Sequence, residues 1–139
     1  MPGLVVDASV TMSWCYPDEH SGYAYRVLEE LELRQGVVPG LWALEVANAL
    51  LVGERRGRLS AADVSRFLEL LKALSLTVDS QTPQRAFTGA LPLARAHGLS
   101  VYDAAYLELA MREGLMLATL DRNLRKAAEA CRVAVFPPR

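Results

Sequence analysis

Four acidic residues occupy positions where side chains can be brought together for chemistry: Asp7, Glu45, Asp103 and Asp121. Asp7 directly follows the apolar run Leu4-Val5-Val6, and Asp121 lies just beyond Leu117-Ala118-Thr119. Glu45 falls early in Leu41-Trp42-Ala43-Leu44-Glu45-Val46-Ala47-Asn48-Ala49, and Asp103 early in Ser100-Val101-Tyr102-Asp103-Ala104-Ala105-Tyr106. Glu45 is the only charge between Pro39 and Gly53, among residues that favour burial. A lone carboxylate there is costly unless a cation pairs with it. If the four acids converge, two unit charges about 4 Å apart repel by roughly 4 kcal/mol at an effective dielectric near 20. Such a cluster raises its own pKa values, titrates as a coupled set or recruits a cation. Carboxylate oxygens without histidine or cysteine suit Mg2+ or Mn2+ and not zinc or copper. A carboxylate-held magnesium with open water positions equips a site for phosphoryl chemistry.

Each acid also has a structural explanation. Asp7 and Asp121 are natural N-caps after strands. Asp103 completes a capping box with Ser100, as Asp63 does with Ser60. Glu45 near a helix start is favoured by the macrodipole. Singly each acid reads as structural; that all four fall at strand exits or helix starts leaves the two readings evenly balanced.

The elements that must position these acids follow from the apolar pattern. Leu4-Val5-Val6, Val37-Val38, Leu76-Thr77-Val78, Leu115–Thr119 and Val133–Phe136 read as strands. Helices are expected over Tyr23–Leu33, Leu41–Val52, Ser60 to about Leu74, Val101–Arg112 and Arg122–Ala130, with a further one from Pro83 toward His97 that Gly89 and Pro92 interrupt. Helices alternating with short, wholly apolar strands point to an α/β fold with a parallel sheet covered on both faces. In open sheets of this kind the crevice lies outside the carboxyl ends of the strands.

The chain has 139 residues, room for one domain spanning 1–139. Its 52% hydrophobic and 22% charged composition is that of a globular chain. Cys15 and Cys131 form no metal-binding or disulfide pattern, so a reducing cytoplasmic setting is expected. No signal peptide or membrane-spanning run is expected. The net charge of −1 lacks the basic excess of a strong nucleic-acid binder. An RNA substrate would have to be held by local patches, a metal or paired subunits.

The acidic segments resemble a known family. His97-Gly98-Leu99-Ser100-Val101-Tyr102-Asp103-Ala104-Ala105-Tyr106-Leu107-Glu108-Leu109-Ala110 resembles the third acidic motif of VapC-type PIN domains, and Leu117-Ala118-Thr119-Leu120-Asp121-Arg122-Asn123-Leu124 the fourth. Val5-Val6-Asp7-Ala8-Ser9-Val10 is similar to the first and Leu44-Glu45-Val46-Ala47-Asn48-Ala49-Leu50 to the second. Ser13-Trp14-Cys15-Tyr16-Pro17-Asp18-Glu19 also looks like family sequence, and the likeness spans essentially the whole chain. The resemblance implies a PIN-domain fold, three-layer α/β/α with a short central parallel sheet. It implies a metal-dependent endoribonuclease, the toxin of a toxin–antitoxin pair, leaving a 5′-phosphate and a 3′-hydroxyl. Asp7 and Asp103 would be the leading ligands of Mg2+ or Mn2+. Glu45 and Asp121 would complete the acidic pocket, with Ser9 and Thr119 supporting it through their hydroxyls. A homodimer and a VapB-type antitoxin partner are implied as well.

Other residues carry less. Arg122, Arg125 and Lys126 would suit phosphate contact, and a solvated helix face explains them equally; Arg55, Arg56 and Arg58 read as surface. His20 and His97 lack the partner pattern of a general base. Trp14, Trp42, Tyr102 and Tyr106 could stack on bases, but aromatics in apolar stretches more often belong to a core or a dimer interface. The stretches Tyr23–Leu33 and Leu41–Val52 hold more apolar residues than one helix face needs, which suits subunit or antitoxin contacts. A haloacid-dehalogenase-like phosphatase would want an aspartate where Ser9 stands, and the paired acids of a receiver domain are not evident. No dinucleotide fingerprint or P-loop occurs. The alternative from another class is a non-catalytic PIN-like module that binds RNA or protein.

Overall fold

The computed structural model describes residues 3–16 and 22–138. Pro17, Asp18, Glu19 and His20 lie outside the described residues. The chain runs β1 (Leu4–Val6), α1 (Ala8–Cys15), α2 (Gly22–Glu30), β2 (Gly36–Val38), α3 (Trp42–Arg55), α4 (Ala61–Ala73) and β3 (Leu76–Val78). It continues with α5 (Thr82–Arg85), a π-helical turn (Ala86–Ala90), α6 (Leu91–His97), α7 (Val101–Glu113), β4 (Met116–Ala118) and α8 (Arg122–Ala130).

The strands form one parallel sheet in the order β3-β2-β1-β4. Parallel neighbours need long crossovers, and the helices supply them on both faces, giving a three-layer α/β/α domain. β1 is central: Leu4, Val5 and Val6 are all fully buried, which is why the run contains no polar residue. β3 is an edge, with Thr77 and Val78 exposed, so the cover is incomplete there. After β1 the chain adds β2 and β3 on one side, then returns to place β4 on the other. The order therefore reverses between β1 and β4, the topological switch at which open α/β sheets form their crevice. α7 packs against both of these strands, and Ala104 through Ala110 are all buried, so this helix is core nearly all round.

One element was not expected, and one expectation needs correction. α1 has no counterpart in the apolar periodicity, because Val10, Thr11, Ser13 and Trp14 are all buried and the helix lacks one apolar face. Val133–Phe136 does not form a full strand. Only Val135 bridges to Leu117, flanked by bonds from Leu117 N–H to Ala134 O at 3.0 Å and from Phe136 N–H to Leu117 O at 2.9 Å. Pro137 and Pro138 have no N–H to continue the ladder.

Candidate functional site

Asp7 leaves β1 with its N–H on Ala118 O at 3.0 Å, which holds it against the exit of β4. It stands at the N-cap position of α1, yet its side chain caps nothing. Instead its Oδ2 accepts two hydroxyl protons, from Ser9 Oγ at 2.7 Å and Thr119 Oγ1 at 2.8 Å. Each hydroxyl in turn accepts a backbone N–H from the turn after β4: Leu120 N to Ser9 Oγ at 3.1 Å, and Asp121 N to Thr119 Oγ1 at 3.0 Å. Asp7 is thus pinned through one oxygen, and among the described residues no hydroxyl donates to Oδ1. The carboxyl is only 4% exposed. Burial pushes its pKa up, the two hydroxyl bonds pull it back, and the charge of Asp121 adds to the rise.

Glu45 is half-buried and not enclosed as its sequence neighbours suggest. Leu44 beside it is 76% exposed, so the outer side of α3 lies open at this end. Its partner is a hydroxyl and not a cation: Tyr106 Oη, on the fully buried Tyr106, donates to Glu45 Oε1 at 2.6 Å. This bond ties α3 to α7 one turn beyond Asp103. Burial raises the Glu45 carboxyl, as do the charges of Asp7 and Asp103. Asp103 receives only half of the expected capping box. Its N–H donates to Ser100 Oγ at 3.0 Å, but its carboxylate does not return the bond to the Ser100 backbone. Burial raises it, followed by the charges of Asp7 and Asp121. Asp121 does cap α8, its Oδ1 accepting from Leu124 N at 2.9 Å. At the carboxyl end of the sheet Asp7 thus lies within electrostatic reach of Asp121, Glu45 and Asp103, and Asp103 within reach of Glu45 and Asp121 as well.

The PIN domain family profile matches residues 4–130. Ribonuclease VapC3 of Pyrobaculum aerophilum is 38% identical over 121 residues, covering 87% of this chain and 91% of that protein. The chain is a PIN domain of the VapC type. Among solved structures, PAE2754 from Pyrobaculum aerophilum superposes with a TM-score of 0.67 at 27% identity, over 91% of this chain and 84% of that one. VapBC2 from Rickettsia felis, crystallised with a DNA fragment from its promoter, superposes with a TM-score of 0.63 over 96% of both chains. At 14% identity that likeness shows the fold alone.

Three neighbours of the acids in this PIN domain were not assigned to the acidic pocket by the reading of the sequence. Tyr23 Oη accepts the Thr119 N–H at 3.2 Å. Arg125 donates from Nη2 to Thr119 O at 3.1 Å, and its guanidinium stands 5.5 Å from the Tyr23 ring centroid. Tyr106 binds Glu45 as described. Arg125 and Tyr106 were singled out for other roles, phosphate contact and base stacking, and Tyr106 also follows Asp103 by three residues and so shares its face of the helix. Of the other singled-out residues, Trp14 and Trp42 are buried, donating from Nε1 to Ala24 O at 2.9 Å and to Thr11 Oγ1 at 3.0 Å. Tyr102 is exposed, and His97 Nε2 lies 3.3 Å from Cys131 Sγ.

The donor set of the PIN domain fits a hard divalent cation. The charges acting on Asp7, Glu45 and Asp103 are those of other carboxylates, so a cation would relieve all three. Among the described residues no group of three or more acids, histidines or cysteines is close enough to enclose an ion. A divalent would therefore rest on one or two carboxylates and complete its shell with water, which is how Mg2+ is commonly bound.

Proposed function

We propose that this chain is a metal-dependent endoribonuclease, the toxin of a toxin–antitoxin pair, acting in a reducing cytoplasm. The observation that carries the reading is Asp7: a nearly buried carboxylate, pinned through one oxygen by two hydroxyls, its pKa raised further by Asp121 and its own charge raising those of Glu45 and Asp103. The name of the relative VapC3 supports RNA as the substrate class. Asp7 and Asp103 are the residues proposed to hold Mg2+ or Mn2+. When bound, such an ion neutralises phosphate charge and makes a water more acidic. Glu45 and Asp121 orient the attacking water and accept its proton. The water oxygen bonds to phosphorus as the P–O3′ bond breaks, leaving a 5′-phosphate and a 3′-oxygen that takes up a proton.

A VapB-type antitoxin and a second copy of the chain are the proposed protein partners. Exposed Leu51 on α3 and Leu68 on α4, which line a cavity of about 310 Å³ between these helices, suit such contacts, as does exposed Leu44 on α3. No helix among the described residues is long and apolar enough to cross a membrane. The open spacing of the acids is the one observation favouring a non-catalytic RNA- or protein-binding module. Incubating purified, partner-free protein with total RNA separates the two. Discrete products with Mg2+, absent with EDTA and absent for Asp7→Asn, support the nuclease. A folded, metal-binding protein that cuts nothing supports the module.

A further inference from the structure

We propose that Arg26, Arg122, Arg125 and Lys126 form the track along which the phosphodiester backbone of single-stranded RNA reaches the acidic crevice. The proposal rests on the ribonuclease reading. A crevice of carboxylates repels a polyanion, and with a net charge of −1 the chain as a whole offers no attraction. Cations at the rim must supply it. α8 buries Leu124, Ala127 and Ala128 and turns Arg122 and Lys126 to solvent. Its cations stand in its first turns and none in its last, the reverse of what the helix macrodipole favours. They are therefore not there for the helix.

Nor do they serve ion pairs. Among the described residues none of the four pairs with a carboxylate, whereas Arg34 pairs with Glu30, Arg66 with Asp63, and Arg112 with Asp79 and Glu108. Arg125 is also built into the site. It holds Thr119 O at 3.1 Å, and Thr119 Oγ1 holds Asp7 at 2.8 Å, so its guanidinium is two contacts from the central carboxylate. Arg26 lies one turn along α2 from Tyr23, whose hydroxyl accepts the Thr119 N–H, and the charges of Arg125 and Arg26 both act on that hydroxyl. Two guanidiniums from separate helices thus act on the same hydroxyl beside Thr119, and guanidinium is the group best suited to phosphate oxygens.

The test is the salt dependence of binding, read by anisotropy of a fluorescent single-stranded oligoribonucleotide with EDTA present. The combined Arg26→Gln and Arg125→Gln variant is expected to bind more weakly and to flatten the log–log salt slope by about 1.4, or about 0.7 for each phosphate no longer neutralised. Arg125→Lys, which keeps the charge, should keep the slope. Arg55→Gln with Arg56→Gln makes the same charge change at the far end of α3 and should leave the slope unaltered. If wild-type protein cuts RNA but the Arg26/Arg125 variant keeps the wild-type slope, the track is wrong and the nuclease stands. The same holds if that variant binds RNA normally but loses its antitoxin, since the surface then belongs to a protein. If wild-type protein neither binds nor cuts RNA, both readings fall.

Discussion

Replacing Thr119 by valine tests how Asp7 is held. Thr119 is fully buried; its hydroxyl donates to Asp7 Oδ2 at 2.8 Å and accepts the Asp121 N–H at 3.0 Å. Valine keeps the branched shape and removes both bonds. A hydrogen bond to a charged group contributes roughly 1.5–3 kcal/mol, and the amide left without its acceptor costs about 1 kcal/mol more. The expected loss at neutral pH is therefore about 2.5–4 kcal/mol, or a urea midpoint lower by about 1.3–2 M at a typical slope near 2 kcal/mol per M. The loss depends on pH, and its sign follows from the environment. Burial already raises the Asp7 carboxyl above its ordinary 3.8, and removing a donor raises it further. A group raised on folding contributes stability that is present below its unfolded pKa and lost as pH rises through its folded one. The variant therefore suffers most at neutral pH. Below the unfolded value Asp7 is protonated in both proteins, and the deficit shrinks toward that of a neutral hydrogen bond plus the amide left without its acceptor, about 1.5–2.5 kcal/mol. Urea unfolding at the two pH values decides the matter. A loss under about 0.5 kcal/mol at neutral pH, or one of equal size at acid pH, would refute the account of Asp7 as a pinned, charged carboxylate.

Arg112 grips Asp79 at 3.1 and 2.8 Å and Glu108 at 2.9 and 3.0 Å, with all three side chains nearly buried. Arg112→Met should cost about 3–5 kcal/mol in thermal unfolding because two carboxylates lose their cation; near-wild-type stability would mean that water reaches them. Tyr106→Phe releases Glu45 and is expected to slow RNA cleavage by about 10–100-fold while circular dichroism stays unchanged; an unchanged rate would remove this bond from the site's workings. Asp103→Asn removes a carboxyl raised by burial and by Asp7, so the variant should be more stable than wild type at neutral pH, with the gain fading as pH falls below the carboxylate range. Mg2+ should raise the unfolding midpoint of wild type at neutral pH and leave Asp7→Asn unmoved, a comparison read in one calorimetric series.

The sheet was legible because β1, β2 and β4 are short apolar runs closed by turns, and a buried parallel strand admits nothing else. Elements with two buried faces, or with one bridge in place of a ladder, left no such trace: α1 shows no apolar stripe, and Val133–Phe136 looks like a strand although only Val135 pairs. The helix from Thr82 to His97 shows a different kind of failure. Gly89 reads as an interruption, yet the chain passes through it in a π-helical turn. The glycine is there for space, since a Cβ would come within 2.9 Å of Glu108 Cγ, and Glu108 is fixed by Arg112. A contact with a residue on another helix cannot be read from local periodicity.

The acids show where sequence alone stops distinguishing a cap from a site. Ser60 with Asp63 and Ser100 with Asp103 have the same spacing at the same place in a helix. Asp63 completes its box: its carboxylate takes the Ser60 N–H at 2.9 Å, and that bond holds its pKa below the ordinary value. Asp103 leaves the box half made, and its carboxyl goes the other way, pushed up by burial and by Asp7. The difference does not lie in either tetrapeptide. It arises because α7 starts beside the switch between β1 and β4, where Asp7 and Asp121 already concentrate negative charge, whereas the carboxylate of Asp63 stands in solvent with Arg66 as its partner. A carboxylate that forgoes a backbone N–H in favour of a site crowded with like charge is destabilising as the chain stands. Such placement is intelligible if the charge has something else to bind, which is the role proposed for these acids.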